Sequence, residues 1–265
     1  MTSPGPVLRI HNEFDLQDVV DRLDRDAALV ERDFALVTIA ARLVSSYGEQ
    51  LCFKGGFVLR HVHGHERFSK DIDATRTNPP KNKLDSVAMA ETIRQSGMRN
   101  LLTLDPGKPV TDSGRSLDFG QIRYSGPLGK GVVSVEVSYR EAVIEPPELV
   151  AIGEPYYEPF KVPVMQLDEI VAEKLRALVQ RVRPTDLSDL AMILRDNTTN
   201  SRRIHNLTAR KFELVRDGDR RGRIEANIQA MKTGYDNAVG AVAPDAPDYQ
   251  TASSLVIGRL SALLP

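Results

Sequence analysis

The sequence predicts an α/β (α+β) protein, in which a mixed sheet packs against helices and is followed by a helical second half. Residues 132–139 are rich in β-branched side chains and alternate between apolar and polar, which is typical of a strand. Residues 16–44 repeat their apolar positions at the spacing of a helix. From residue 165 onward the apolar positions again recur at helical spacing, so the second half is predicted to be helical.

The composition bounds the class of protein. A chain of 265 residues with 41% hydrophobic and 27% charged residues is globular, with one large domain or two small ones. The net charge of −1 gives no indication of a nucleic-acid partner. The single cysteine, Cys52, lies in an apolar run, where we expect a core residue, and it favours a reducing compartment. We find no signal peptide and no apolar stretch of membrane-spanning length, so we expect a cytoplasmic protein with no membrane partner.

The first elements lead to an acidic motif. Two helices are predicted over the apolar positions of residues 16–23 and 29–44, and Tyr47-Gly48 is a C-cap signal for the second. A short apolar strand at residues 51–53 then meets Gly55-Gly56, and residues 57–62 have helical spacing. The next predicted strand contains Asp71-Ile72-Asp73. Because residues two apart on a strand share a face, the two carboxylates project together.

Two adjacent carboxylates repel each other unless a cation lies between them. Hard oxygen ligands of this kind suit Mg²⁺, which one or two carboxylates and the phosphates of a substrate usually hold. Gly55 and Gly56 offer backbone N–H groups just before a helix, which is a favourable place for a phosphate. The alternative is an ordinary aspartate pair on a solvated strand.

The middle of the chain supplies a third candidate acid. Several elements are predicted before the strand at 132–139. In order, they are a polar loop at residues 77–83, a helix at 84–97, a short strand at 101–104, a loop at 106–114, a strand at 117–124 and a turn at 125–131. Glu136 lies on the polar face of that last strand, with Ser134 and Ser138. It is either a metal ligand or part of the solvated face of an edge strand. Residues 140–160 contain four prolines and are predicted to be strand ends and loops.

The second half carries another charged group. We place a domain boundary near residue 164, between a core of residues 1–163 and a helical domain of residues 164–265. Lys174 lies within the apolar stripe of a helix at residues 166–178, where it either has a partner or extends its head to solvent. Thr185 is predicted to cap the next helix, and Asp186 and Asp189 share one face of it. Asp186 is either a first-turn acid favoured by the helix dipole or a catalytic group.

The second half is also basic. Residues 174–223 contain 13 Lys and Arg against six Asp and Glu. Clustered cations of this kind bind phosphate backbones, and the alternative is an ordinary solvated face. Further helices are predicted in residues 200–240 and 254–264, separated by a linker at 241–250. The candidate RNA-binding residues are Arg202, Arg203, Arg210, Lys211, Arg220 and Arg221.

Two of these motifs resemble one family. Residues 53–56 (Phe-Lys-Gly-Gly) with residues 67–73 (Arg-Phe-Ser-Lys-Asp-Ile-Asp) are similar to the AbiEii/AbiGii toxins, including the mycobacterial MenT toxins, a branch of the DNA-polymerase-β-type nucleotidyltransferases. Residues 173–177 (Glu-Lys-Leu-Arg-Ala), followed by Arg183 and residues 186–190 (Asp-Leu-Ser-Asp-Leu), fit a second motif of that family. Ser188 stands where the family often has an aromatic residue. The resemblance covers roughly residues 30–195.

The resemblance implies the toxin of a type IV toxin–antitoxin system, with a cognate antitoxin as partner. The implied reaction transfers a nucleoside monophosphate from an NTP to an RNA acceptor, with the 3′ end of tRNA expected, which would block translation. The alternatives are a small-molecule nucleotidyltransferase, a kinase-like phosphotransferase and a non-catalytic nucleotide-binding regulator.

The resemblance also assigns roles to residues. The implied catalytic residues are Asp71, Asp73, Lys174 and Asp189, with Asp189 orienting Lys174 or the nucleotide. A Mg²⁺ ion, with Mn²⁺ as an alternative, would be held by Asp71, Asp73 and Glu136. The implied phosphate-binding residues are Gly55, Gly56, Ser69, Lys70 and Lys174. The site is expected in a cleft between the sheet and the helical half.

Overall fold

A computed structural model describes residues 6–77, 84–98, 100–112, 115–140, 142–196, 198–213 and 218–265. The expectations for residues 78–83, 113–114, 141 and 214–217 lie outside the described residues. The chain divides into two compact units. The first unit consists of Met1–Gly64, Phe68–Val143 and Pro147–Val164, and the second of His65–Arg67, Ile144–Pro146 and Met165–Pro265. The long segment of the second unit begins at Met165, and no sequence pattern indicated that the two short segments belong to that unit. The predicted division into residues 1–163 and 164–265 stays a prediction.

In its described residues, the first unit holds the sheet and four α-helices. Two helices come first, and the positive φ of 49° at Gly48 confirms the predicted C-cap of the second. The elements are α1 (Glu13–Leu23), α2 (Ala27–Tyr47), β1 (Leu51–Lys54), α3 (Gly55–His61), β2 (Asp71–Arg76), α4 (Ser86–Ser96), β3 (Thr103–Asp105), β4 (Val110–Asp112), β5 (Ser116–Ser125), β6 (Lys130–Ser138), β7 (Glu148–Ile152) and β8 (Phe160–Val164).

The sheet is mixed, as predicted. Its strand order is β3-β5-β6-β2-β1-β8-β7, and β4 pairs with β5. β2 runs parallel to β6, and β1 runs parallel to β8, whereas the other pairs are antiparallel. Because β6 lies between β5 and β2, the alternative that placed Glu136 on an edge strand is wrong. The buried residues Ile72, Val135 and Val137 line the face of the sheet opposite the acids.

Two loop expectations are wrong. The predicted loop at residues 106–114 contains β4, which pairs with β5. The predicted strand ends and loops of residues 140–160 contain β7, and β8 begins at Phe160. β7 is an edge strand whose Leu149 is more than half exposed, so it lacks the buried alternation that identified β6.

The second unit is helical, as predicted. Its elements are α5 (Leu167–Gln180), α6 (Pro184–Arg195), α7 (Ser201–Phe212), α8 (Arg220–Ala230), α9 (Tyr235–Gly240) and α10 (Tyr249–Leu263). The expectation that Thr185 caps α6 is wrong, because Arg183 is the N-cap and Pro184 occupies the first helical position. A proline is well suited to that position because it has no N–H to leave unsatisfied. Across the described residues, no helix is long and apolar enough to cross a membrane.

Candidate active site

The acidic motif lies in the middle of the sheet. Asp71 and Asp73 are partly buried on one face of β2, and Ile72 between them is fully buried on the other. On the neighbouring strand β6, Glu136 is the register partner of Asp73, and Ser134 is the partner of Asp71. The sheet therefore brings the three predicted acids to one face of two paired strands.

The glycine pair lies directly beside this motif. β1 pairs with β2, and Gly55 follows it as the first residue of α3, with φ at +71°. A Cβ on Gly55 would lie 2.5 Å from Asp73 Oδ2, closer than real Cβ atoms approach any atom. The carboxylate of Asp73 therefore occupies the space that a side chain at position 55 would need. The second glycine, Gly56, is buried in the first turn of α3.

Ser69 holds Asp71. Its side chain is buried, and its hydroxyl donates to Asp71 Oδ1 at 2.9 Å. The carbonyl oxygen of Ser69 accepts from Arg32 Nε at 3.1 Å, which fixes the backbone at this point. Lys70 is exposed, and its carbonyl accepts from the Ser134 N–H. Ser69 therefore has a structural role in aiming a carboxylate, whereas its contact with phosphate stays a prediction.

Two of the acids suit a metal ion better than the third. Within the described residues, no three His, Cys, Asp or Glu side chains are close enough together to hold a metal. Glu136 Oε1 lies 3.6 Å from Arg140 Nη2, and its side chain is partly exposed. Asp71 and Asp73 supply two hard oxygen donors, which is the number of carboxylates that Mg²⁺ usually takes from a protein. The role of Glu136 as a ligand stays a prediction.

The helical unit contains a buried cluster of ion pairs around Lys174. Lys174 Nζ lies 2.7 Å from Asp189 Oδ2 and 3.1 Å from Asp186 Oδ1. Arg67 donates to both oxygens of Asp189, from Nε at 2.8 Å and from Nη2 at 3.3 Å. Arg181 Nε donates to Asp186 Oδ2 at 2.8 Å. Asp189 is fully buried, so its charge depends on these partners.

These ion pairs keep the cluster charged. Burial by itself would lower the pKa of Lys174, but Asp189 and Asp186 outweigh it and raise that pKa above the usual value. Burial would likewise raise the pKa of Asp186, but Lys174 and Arg181 lower it to about 2. Lys174 and Arg67 also hold the pKa of Asp189 below its usual range against the opposing effect of burial. All of these groups are therefore ionised at neutral pH.

The comparisons with known proteins identify the family of the chain. Residues 39–254 match the family model described as nucleotidyl transferase AbiEii toxin of type IV toxin–antitoxin systems. The chain belongs to the AbiEii family of nucleotidyltransferase toxins. This confirms the family that the two motifs predicted.

Solved structures share the fold of this AbiEii chain. MenT4, a nucleotidyltransferase toxin from Mycobacterium tuberculosis H37Rv, is 22% identical with a TM-score of 0.69, over 94% of this chain and 89% of that chain. JHP933 from Helicobacter pylori is 16% identical with a TM-score of 0.60, over 90% of this chain and 92% of that chain. No curated protein sequence matches the chain.

The predicted basic residues of the AbiEii chain divide into three groups. Lys211 is 2% exposed and forms ion pairs with Glu169 and Glu173, so its prediction as a surface cation is wrong. Three arginines have partners within the protein: Arg203 contacts Gln166, Glu145 and Asp168, Arg220 lies over the ring of Phe212, and Arg221 pairs with Glu225.

Arg202 and Arg210 form the third group. Both are exposed on α7, and neither guanidinium contacts a polar side chain in the part of the chain that the structure describes. Spaced eight residues apart, they lie about two turns apart along the helix and about 80° apart around its axis. Of the six predicted RNA-binding residues, these two are the ones whose charge is available on the surface.

Sequence reasoning missed Arg67 and Arg181 as members of the Lys174 cluster. Arg67 stands in the motif of residues 67–73, but nothing in the sequence indicates that its partner is 122 residues further along the chain. The spacing of Asp186 and Asp189 did signal a shared helix face, and the structure shows that both side chains face Lys174.

Proposed function

We propose that this AbiEii toxin transfers a nucleoside monophosphate from an NTP to an RNA acceptor, with the 3′ end of tRNA as the expected acceptor. The observation that carries the proposal is the pair of carboxylates, Asp71 and Asp73, on one face of β2. Gly55 lies beside them, at a position where any side chain would collide with Asp73. Transfer from an NTP to a hydroxyl releases pyrophosphate. A tRNA whose 3′ end is blocked in this way cannot accept an amino acid, so translation in the cytoplasm would stop.

The acidic pair fits a magnesium ion. Asp71 and Asp73 would hold Mg²⁺, with Mn²⁺ as an alternative, and the ion would neutralise the phosphates of the nucleotide. Glu136, the register partner of Asp73 on β6, stays a predicted third ligand, because it would have to move closer to join the two aspartates. The hydrogen bond from Ser69 keeps the Asp71 carboxylate in a fixed orientation, and so reduces the cost of ordering it when a cation binds. Gly55, Gly56, Ser69 and Lys70 would bind phosphate.

Lys174 would balance the negative charge of the triphosphate during transfer. Its pKa is raised, so it carries a full positive charge at neutral pH. A fixed positive charge stabilises the charge that develops on the leaving pyrophosphate. Asp189 contacts Lys174 Nζ at 2.7 Å and would orient it.

An RNA acceptor is supported by the exposed arginines of α7. Arg202 and Arg210 are available to contact phosphates of an RNA backbone, a role for which a small-molecule acceptor has no need. A type IV toxin also has a cognate antitoxin as partner, because the family is one component of a toxin–antitoxin system.

A transfer assay tests the proposal. Purified protein is incubated with each α-labelled NTP, Mg²⁺ and total tRNA, and label is expected on the 3′ end of tRNA. Asp71→Asn keeps the shape of the side chain but removes its charge, so transfer should fall by at least about 100-fold. The matched control is Asp105→Asn, which changes an exposed aspartate on β3 and should leave transfer unchanged.

The outcomes separate the competing functions. Label on a small molecule alone would favour a small-molecule nucleotidyltransferase, and bound nucleotide without turnover would favour a regulator. In a bacterial host, Asp71→Ala should abolish growth inhibition. A variant as toxic as the wild type would contradict the catalytic explanation.

A further inference from the structure

Lys174 is not free to bind a phosphate in the arrangement that the structure shows. Its ammonium group lies between Asp186 and Asp189, at ion-pair distance from both. The side chain of Lys174 is 10% exposed, and those of the two aspartates are 4% and 0% exposed. A triphosphate can therefore reach this cation only if it competes with two buried carboxylates.

Each of those carboxylates has a second cation of its own. Arg67 donates to both oxygens of Asp189, and Arg181 donates to Asp186. The five groups carry three positive and two negative charges, so the cluster has one positive charge in excess. Arg67 also acts against the charge of Lys174, since its presence lowers the lysine pKa.

The other buried lysine of this unit shows the contrast. Lys211 also lies between two carboxylates, at 2.7 Å from Glu169 and 2.9 Å from Glu173. Glu169 otherwise accepts the backbone N–H groups of Ile144 and Glu145, and among the described side chains Lys211 is its one cation. Removing Lys211 would leave a buried charge uncompensated, and such a charge is costly. Lys211 is therefore a structural lysine.

We propose that Lys174 is an exchangeable cation, which leaves Asp186 and Asp189 to bind the triphosphate, and that Arg67 and Arg181 make this exchange possible by neutralising the two carboxylates left behind. This inference rests on the proposed nucleotidyltransfer, because it describes how Lys174 becomes available to the triphosphate of the nucleotide. Arg67 is then a positioning residue. It touches no reacting atom, and it acts by holding Asp189 when the lysine departs.

The proposal predicts effects of opposite sign for two variants. In Arg67→Ala, the fully buried Asp189 depends on Lys174 alone, so the lysine is held and the dissociation constant for nucleotide should rise at least about tenfold. In Asp186→Asn, one of the two carboxylates that compete for the lysine loses its charge, so the dissociation constant should fall by a factor of about three or more. A merely structural role for both residues would weaken binding in both variants.

The experiment measures binding by calorimetry with Mg²⁺ and each of the four α,β-methylene nucleoside triphosphates, and again with inorganic tripolyphosphate. The matched control is Glu173→Gln, which removes one of the two carboxylates around Lys211 and should change affinity by less than about twofold. Arg67→Lys should restore part of the affinity, because an ammonium can still neutralise Asp189. If Arg67→Ala does not fold, Arg67→Lys and Asp186→Asn carry the test.

The possible results are distinguishable. Weaker binding in Arg67→Ala with tighter binding in Asp186→Asn supports the exchange. Equal affinity in wild type and both variants, or weaker binding in both, overturns it even when the wild type transfers label to tRNA. A wild type that binds no nucleotide and transfers no label overturns the proposed function as well.

Discussion

Gly55 meets two independent requirements at one position. Its φ of +71° is in the left-handed region, which other residues adopt at a cost of about 1–2 kcal/mol. Its missing Cβ also leaves the space into which Asp73 Oδ2 extends. Gly64 has a similar φ of +68°, but a Cβ there would meet no atom within 4 Å. A comparison of substitutions at the two glycines therefore distinguishes the effect of backbone strain, which both share, from the effect of displacing Asp73, which is specific to Gly55.

Gly55→Ala should therefore inactivate the protein, whereas Gly64→Ala should not. Both variants are expected to lose about 1 kcal/mol of stability through backbone strain. Only the first also displaces Asp73, and a displacement of about 1 Å in a catalytic group costs roughly 100-fold in rate. Melting temperatures and label transfer to tRNA, measured on both variants, check this. Equal activity in the two would show that the close approach to Asp73 is unimportant.

Residue types predicted the acidic pair better than they predicted ion-pair partners. Asp71 and Asp73 followed from alternation along a single strand, which is a local property. Lys174 stood out because it lies on an apolar stripe, and the structure supplies the partners that such a position demands. Lys211 has the same kind of position, since it continues the buried stripe of Ile204 and Leu207. It was nevertheless predicted to be a surface cation, because it lies in a cluster of basic residues. The partner of Arg67 depends on tertiary structure, so no local pattern indicates it.

At the scale of elements, α7 has two different sides. Ile204, Leu207 and Lys211 are buried, whereas Arg202 and Arg210 lie outside that buried stripe and are exposed. A net count of charges over residues 174–223 could not make this distinction, because it gives the same weight to a buried lysine and an exposed arginine. The spacing of 3.6 residues per turn does make it.

Replacing both Arg202 and Arg210 with alanine should weaken tRNA binding but leave nucleotide binding unchanged. For each phosphate that an arginine no longer neutralises, the slope of log affinity against log salt should become shallower by roughly 0.7–0.9. Filter binding to tRNA over a range of salt concentrations measures this slope. The matched control replaces Arg42 and Arg94, two exposed helical arginines of the first unit. An unchanged slope in the α7 variant, or an equally shallow slope in the control, would contradict a role for α7.

The predicted elements failed where the hydrophobic pattern was weak. β6 alternates between buried and partly exposed residues over residues 133–137 and lies inside the sheet, so its prediction succeeded. Among the described strands, β4 has three residues and pairs with β5 alone, and β7 is an edge strand that pairs with β8 alone. A strand with a neighbour on one side only is less buried, so its sequence need not alternate between apolar and polar residues. At α6, the prediction of a Thr185 cap was wrong because Pro184, whose fixed φ suits the first helical position, starts the helix one residue earlier.

At the scale of the whole molecule, each unit contains a buried aspartate held by basic side chains. In the first unit, Asp33 lies 3.1 Å from both Arg60 Nε and His61 Nε2, and the hydroxyl of Tyr156 donates to it at 3.0 Å. Burial opposes its charge, but His61 and Arg60 lower its pKa to about 2. In the second unit, Asp186 has a pKa that Lys174 and Arg181 likewise lower to about 2. Both units therefore share one weakness toward acid.

This sharing predicts how stability depends on pH. Because both pKa values are below the ordinary value of 3.8, folding favours the ionised carboxylates, and their contribution is complete above about pH 4 and lost as the pH falls toward 2. Each group contributes roughly 2 kcal/mol to this loss. Urea unfolding between about pH 6 and pH 2 should show a steep fall for the wild type.

Asp33→Asn and Asp186→Asn should each be less stable than the wild type at neutral pH, because each removes a buried carboxylate from its ion pairs. Each should also flatten the curve below about pH 4, since the group that takes up the proton is gone. Asp18→Asn, at an exposed position on α1, serves as the control and should follow the wild-type curve. If the two buried variants instead lose stability with acid as steeply as the wild type, the ion pairs of Asp33 and Asp186 do not set the acid limit of the fold.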